Sequence, residues 1–238
     1  MKKIFAVLIF AFLSGYAVQM QGQGAINTLT KKEFKQGWKL LFDGLNPSQW
    51  RSANKTDFPA KGWQIKEGCM VSGGGGNLVS KEEYGNFELS WDWKMIDTGG
   101  NSGVKYFVKE AKNDALGIEY QMLDDTGHPW MKDGRMHLND FHTVGAIYEL
   151  YPTAANKVTK PVGEWNTSRI LCLGKHIEHW LNGIKVAECE RGSVDYNARI
   201  ASSKFKDIPN FGVHEKGLIL LQDHGSVVWF RNIKIRKM

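Results

Sequence analysis

FELSWDWKM, residues Phe87–Met95, alternates without a break. Phe87, Leu89, Trp91, Trp93 and Met95 would share one face, and Glu88, Ser90, Asp92 and Lys94 the other. Successive side chains of a strand point to opposite faces, so a period of two predicts a strand with one side in a core and one toward water. Antiparallel sheets are built from such one-sided strands. The pattern recurs on both sides of this stretch. Gly37–Gly44 is strand-like and ends in a turn, and Trp63–Val71 reads as a strand pair turning at Glu67–Gly68. Val104–Lys109, Ile118–Leu123, Ser168–Leu173, Ile177–Leu181, Ile184–Glu188, Leu218–Gln222 and Val227–Arg236 read as further strands. Asn182–Gly183 is a strong hairpin signal, because both central residues of the tightest hairpin turns take positive φ. Asp195–Lys206 is the best helix or loop candidate. Ten or so short strands with almost no helix predict an all-β fold, an antiparallel two-sheet β-sandwich or jelly roll.

The chain has 238 residues, of which 42% are hydrophobic and 24% charged, the composition of a soluble globular protein. Lys2 and Lys3 precede an apolar run, Ile4–Leu13, that is too short to span a bilayer, and Gly15 and Ala17 supply a small-residue cleavage site. Residues 1–17 therefore read as a signal peptide, with cleavage as late as residue 24 an alternative. A polar lead-in follows over 25–36, and one β domain over 37–238. No Cys follows the apolar run, so the mature chain is expected in the periplasm or medium without a membrane anchor. Its formal charge falls from +6 to +4 when Lys2 and Lys3 leave (6 − 2). The basic residues form no stripe, which argues against a nucleic-acid partner. Export permits a disulfide between Cys172 and Cys189, but three buried free thiols, Cys69 included, are the simpler expectation. The Gly73–Gly76 run lacks the Lys-Ser/Thr and helix of a phosphate loop and reads as a turn. Oligomeric state is left open.

Chemistry concentrates in GIEYQMLDD, Gly117–Asp125. Ile118, Tyr120 and Met122 would face a core, which puts Glu119 and Gln121 side by side on the opposite face, roughly 6–7 Å apart. Asp124 is out of phase with them unless a β-bulge follows Met122. A carboxylate and an amide on a rigid strand suit a polar ligand, whereas a solvated outer face is the plainer account of any one such strand. Two other stretches, GNSGV (Gly100–Val104) and LQDHG (Leu221–Gly225), place polar residues and glycine beside strands. The long Asp124–Pro161 connection is rich in His and aromatics, and connections of that length are functional or disordered; the aromatics argue against disorder.

LLFDG with Trp50, GNSGV, IEYQMLDD, GAIYELY, GEWN, HWLNG, LQDHG and FRNIKI occur in order from residue 40 to 235. In this ordered set the chain resembles the secreted bacterial 3-keto-disaccharide hydrolase domains, whose fold is that of concanavalin A-like lectins and glucanases. The resemblance implies a small carbohydrate substrate already oxidised at C3. Glu119, His224 and Gln121 are then the candidates for chemistry. Asn101, Lys105, Asp124, Tyr148, Trp165 and Asp223 are the candidates for binding sugar. Lys105 lies in the stretch after Asn-Ser-Gly where many relatives carry Arg. Glu119 would act as a base, or as a ligand of a divalent metal ion together with His224 and a further oxygen; no other cofactor is implied. Two alternatives stay open. One is an ordinary jelly-roll glycosidase, for which Glu119, Gln121 and Asp124 would be the comparable positions. The other is a binding domain without chemistry, with Trp130, Tyr148 and Trp165 stacking on sugar rings.

Overall fold

The computed structural model describes residues 25–238 apart from Asn113. The leader expectation lies outside the described residues. In chain order the elements are α1 (Lys31–Lys35), β1 (Lys39–Leu40), β2 (Trp50–Ser52), β3 (Gln64–Lys66), β4 (Cys69–Val71), β5 (Leu78–Ser80), β6 (Phe87–Met95), β7 (Asn101–Ala111) and β8 (Asp114–Leu123). Then come α2 (Pro129–Lys132), β9 (Asn166–Leu173), β10 (His176–Leu181), β11 (Ile184–Glu190), α3 (Val194–Ser202), β12 (Leu218–Leu221) and β13 (Val228–Lys237).

The strands form two antiparallel sheets. One runs β11-β10-β9-β6-β13-β4-β3, with β1 also paired to β13; the other runs β2-β5-β12-β7-β8. The predicted faces of β6 hold, since Phe87, Leu89, Trp91, Trp93 and Met95 are all buried between the sheets. Across from them lie Tyr106, Ile118, Tyr120 and Met122 of the five-stranded sheet. Burying a side chain the size of Phe or Leu contributes ~1.5–3 kcal/mol, so this apolar layer is the main source of stability. A polar chain runs through it. Trp93 Nε1 donates to Ser168 (2.8 Å), the Ser168 hydroxyl donates to Tyr120 (2.9 Å), and the Tyr120 hydroxyl donates to the Trp180 carbonyl (3.1 Å). All three cysteines are buried free thiols.

The lead-in is more than a tether. Thr30 and Glu33 form a capping box on α1, and the buried Asn27 and Asn232 of β13 each donate a backbone N–H to the other's side-chain oxygen, while the Asn27 Nδ2 donates to the Gly68 carbonyl. Among the described residues, no helix is long and apolar enough to cross a membrane.

One irregularity positions the site. Pairing of β7 with β8 runs in register from Asn101↔Leu123 to Tyr106↔Ile118, then shifts before Lys109↔Leu116. The extra residue is in β7, where Phe107 takes φ of 54°. Glycine faces it on both sides, Gly117 on β8 and Gly217 just before β12. A Cβ at Gly117 would lie 2.6 Å from the Tyr106 carbonyl oxygen, and one at Gly217 would lie 2.3 Å from the Phe107 carbonyl carbon. The bulge after Met122 that would bring Asp124 back to the face of Glu119 is not there: that end of the ladder is regular, and Asp124 stays out of phase.

Candidate active site

Because Ile118, Tyr120 and Met122 point into the core, Glu119 and Gln121 point out of the five-stranded sheet. They do not meet open water there. The Asp124–Pro161 connection returns along the free edge of β8: Gly145 N–H donates to the Gln121 carbonyl (2.9 Å), Gln121 N–H to the Ala146 carbonyl (3.2 Å), and Tyr148 N–H to the Glu119 carbonyl (3.0 Å). From the opposite sheet, His179 Nδ1 donates to the Gly145 carbonyl (3.0 Å), and its Nε2 accepts from the Tyr106 hydroxyl (2.9 Å). A carbonyl only accepts, which fixes this tautomer. Burial holds the His179 imidazole neutral, its pKa lowered to about 4.

The result is a cavity of about 310 Å³ whose lining includes Asn101, Lys105, Glu119, Gln121, Tyr148 and His224. Six of the nine residues expected at the site are thus brought together. Glu119 is 8% exposed, and its carboxylate lies over Gly103, where a Cβ would come within 2.6 Å of Oε1. The glycine of GNSGV is therefore the space that the carboxylate occupies. Lys105 Nζ stands 3.5 Å from Glu119 Oε2. Desolvation nevertheless dominates, and it raises the Glu119 pKa against the opposing pull of Lys105, Lys204 and His224.

Three amide oxygens in the same cavity have no partner. Gln121 Nε2 donates to the His142 carbonyl (3.1 Å), which leaves its buried Oε1 free, and Asn101 Oδ1 and Gln222 Oε1 are likewise buried and unpaired. Unsatisfied buried acceptors are costly, and their convergence here marks a place for donors such as sugar hydroxyls. The same oxygens with the Glu119 carboxylate also suit a hard divalent cation. The Lys105 ammonium already stands beside that carboxylate, so an ion would have to share or displace it.

Three expected residues lie elsewhere. Asp124 leaves the strand and caps a turn, with Oδ2 accepting from Gly99 N–H (2.8 Å) and Oδ1 from the Thr126 hydroxyl (3.0 Å). Asp223 points away to hold the glycine run, accepting from Gly75 and Gly76 N–H. Trp165 lies against the eight-stranded sheet between Lys94 of β6 and Arg231 of β13, at 5.0 and 3.8 Å from its ring. The half-buried ring is thus taken by cations, which its electron-rich face attracts. Trp130 packs edge-on against His128 and His142, outside the cavity.

Two polar cavity residues escaped the sequence reading. Gln222 could have been found by period-two counting: Leu220 pairs with Lys105, so Gln222, two residues on, shares the face of Lys105. Lys204 carried no signal. It follows α3, donates to the Tyr148 hydroxyl (3.0 Å), and lies 4.1 Å above the same ring.

Comparison with known proteins places the chain in a family. The profile of the 3-keto-alpha-glucoside-1,2-lyase-like domain matches residues 37–236. A 3-keto-disaccharide hydrolase of Bacteroides thetaiotaomicron is 32% identical over 232 residues, covering 84% of this chain and 78% of that one. A solved structure from Parabacteroides distasonis, assigned as a glycosyl hydrolase, has a TM-score of 0.82 at 37% identity and covers 90% of this chain and 100% of its own. A second from the same organism, assigned likewise, has a TM-score of 0.64 at 33% identity, over 84% of this chain and 99% of its own. With a match that spans the whole sandwich, the chain belongs to the 3-keto-alpha-glucoside-1,2-lyase-like domain family.

Proposed function

We propose that this chain is a carbohydrate hydrolase that acts on 3-keto-glycosides, with Glu119 as the base. The observation that carries the proposal is the single carboxylate in the cavity. Ordinary glycosidases divide their work between two carboxylates, and among the described residues lining this cavity Glu119 is the only one. A C3 ketone changes the requirement, because it acidifies the hydrogen on C2. The Glu119 carboxylate takes that proton, and the C–H electron pair passes to the C3 oxygen as an enolate. Lys105 is the cation near enough to compensate the new charge. The enolate then expels the C1 substituent, whose departing oxygen takes up a proton; His224, exposed at the rim, is assigned as its donor. Water adds across C1 and C2, hydroxyl to C1 and proton to C2, and the net reaction is hydrolysis.

A raised pKa suits this role, since a base works best when its pKa approaches the operating pH. Asn101, Gln121 and Gln222 are assigned to the sugar hydroxyls, and Tyr148, steadied by Lys204, to the sugar face. A divalent ion held by the cavity oxygens would polarise the ketone when bound; the steps above use side chains alone. The bare binding-domain reading has no use for a desolvated carboxylate beside a lysine. The test offers purified protein an aryl glucoside and its 3-keto derivative in parallel. Turnover of the 3-keto compound alone is expected. Turnover of the plain glucoside at a similar rate, or binding with no turnover of either, would contradict the proposal.

A further inference from the structure

At the end of the sandwich formed by the β9–β10 turn, the end of β11 and the segment before β12 lies a larger cavity, about 780 Å³. Its lining is cationic: Lys109, Lys175, Arg191 and Lys216, against one carboxylate, Glu215. Glu83 nearby pairs with Lys109 (2.5 Å) and more distantly with Lys216 (3.8 Å). Arg191 differs from the others in being 8% exposed. Its Nη1 and Nη2 donate to the backbone carbonyls of His214 (2.5 Å) and Gly174 (3.0 Å), and its guanidinium lies 4.1 Å from the Phe107 ring. Its Nε is buried with no acceptor, and among the described residues its side-chain hydrogen bonds go to backbone carbonyls and none to a carboxylate.

A buried guanidinium without a counter-charge is costly, and buried cations are ordinarily paired. Neutral carbonyls satisfy hydrogen bonds but not charge. Lys175 and Lys216 are exposed beside it, and Lys175 has no ion-pair partner among the described residues. Their positive potential adds to that of Arg191 and is focused in a concave site. We propose that this cavity is an anion site, separate from the Glu119 cavity, for an oxyanion group such as a sulfate, phosphate or sugar carboxylate. The geometry fixes the charge and concavity of the ligand site; the arms of the test distinguish the source. The proposal does not depend on the reaction assigned to Glu119.

The test is calorimetric titration of the full chain with inorganic sulfate, inorganic phosphate, glucuronate and, as a neutral control, glucose, at constant ionic strength. Saturable binding of at least one anion is expected. The double charge reversal Lys175→Glu/Lys216→Glu, at two exposed positions that leave the fold intact, should weaken it by about tenfold or more. Lys105→Met should leave it unchanged. Arg191→Met, which removes the buried charge, should weaken it as well, with the melting curve showing that the variant is folded. Absence of binding by all three anions, equal binding of glucose and glucuronate, an unchanged affinity in the double variant, or loss of binding in Lys105→Met would overturn the proposal.

Discussion

Glu119 is the residue on which the functional proposal rests, and its burial makes two separable demands. The first is kinetic. Glu119→Gln keeps size and hydrogen-bonding capacity but removes the charge, so turnover of a 3-keto-glycoside should fall ~10²–10⁴-fold, the range of a general base. His224→Ala should cost a comparable factor if the two act as a unit, and the double variant should be little worse than either. Steady-state kinetics on the four proteins checks this. The second demand is on stability. A carboxyl whose pKa is raised by desolvation on folding favours the native state only while protonated; that contribution is full below its unfolded pKa and is lost as pH rises through the folded value. Glutamine has no such loss. Denaturation at pH 4 and pH 7 should therefore show the Gln variant gaining on the wild type as pH rises. At this scale the sequence was informative about type and poor about direction. Alternation placed Glu119 and Gln121 on one face, and Asn101 and His224 were found from motifs. Asp124, Asp223 and Trp165 lie outside the cavity because side chains near strand ends aim where the turn directs them. Their partners are backbone amides and cations brought in from other strands.

At the level of elements, the β7 bulge sets where the active strand pair changes phase. Phe107 occupies the left-handed region between two glycines whose missing Cβ atoms leave room for its backbone. Gly217→Ala would press a methyl group onto the Phe107 main chain, which cannot swing aside as a side chain can. A loss of about 1–3 kcal/mol is expected, as for other overpacking changes, and chemical denaturation measures it. The strands themselves were legible because one face of each is buried and period two follows directly. The β7 bulge was not legible because nothing in the sequence near Phe107 marks a positive φ; the two glycines that permit it lie on β8 and just before β12. Helix α1 was missed for a different reason. Five residues carry no apolar period, and only the Thr30–Glu33 capping box announces them.

Across the whole molecule, the site is a property of both sheets. His179, from the eight-stranded sheet, grips Gly145, and the segment that begins there brings Tyr148 to Glu119. This long-range tie is pH-sensitive. The pKa of His179 is lowered from 6.5 to about 4 in the folded protein, so its contribution is complete above pH 6.5 and is lost as pH falls toward 4. His179→Gln should lower stability at pH 7 yet flatten the loss between pH 6.5 and 4, as seen by denaturation across that range. An unchanged acid limb would remove His179 as its source. The HWLNG stretch gave the hairpin but not this tie, since its partner is a backbone carbonyl some thirty positions away, at Gly145. The central claim, that the reaction begins at C2, has a direct measurement. A 3-keto-glycoside carrying deuterium at C2 is compared with its unlabelled form under kcat/KM conditions. Proton abstraction by Glu119 predicts a primary isotope effect, the labelled substrate reacting distinctly more slowly. Equal rates for the two substrates, with cleavage still occurring, would contradict it.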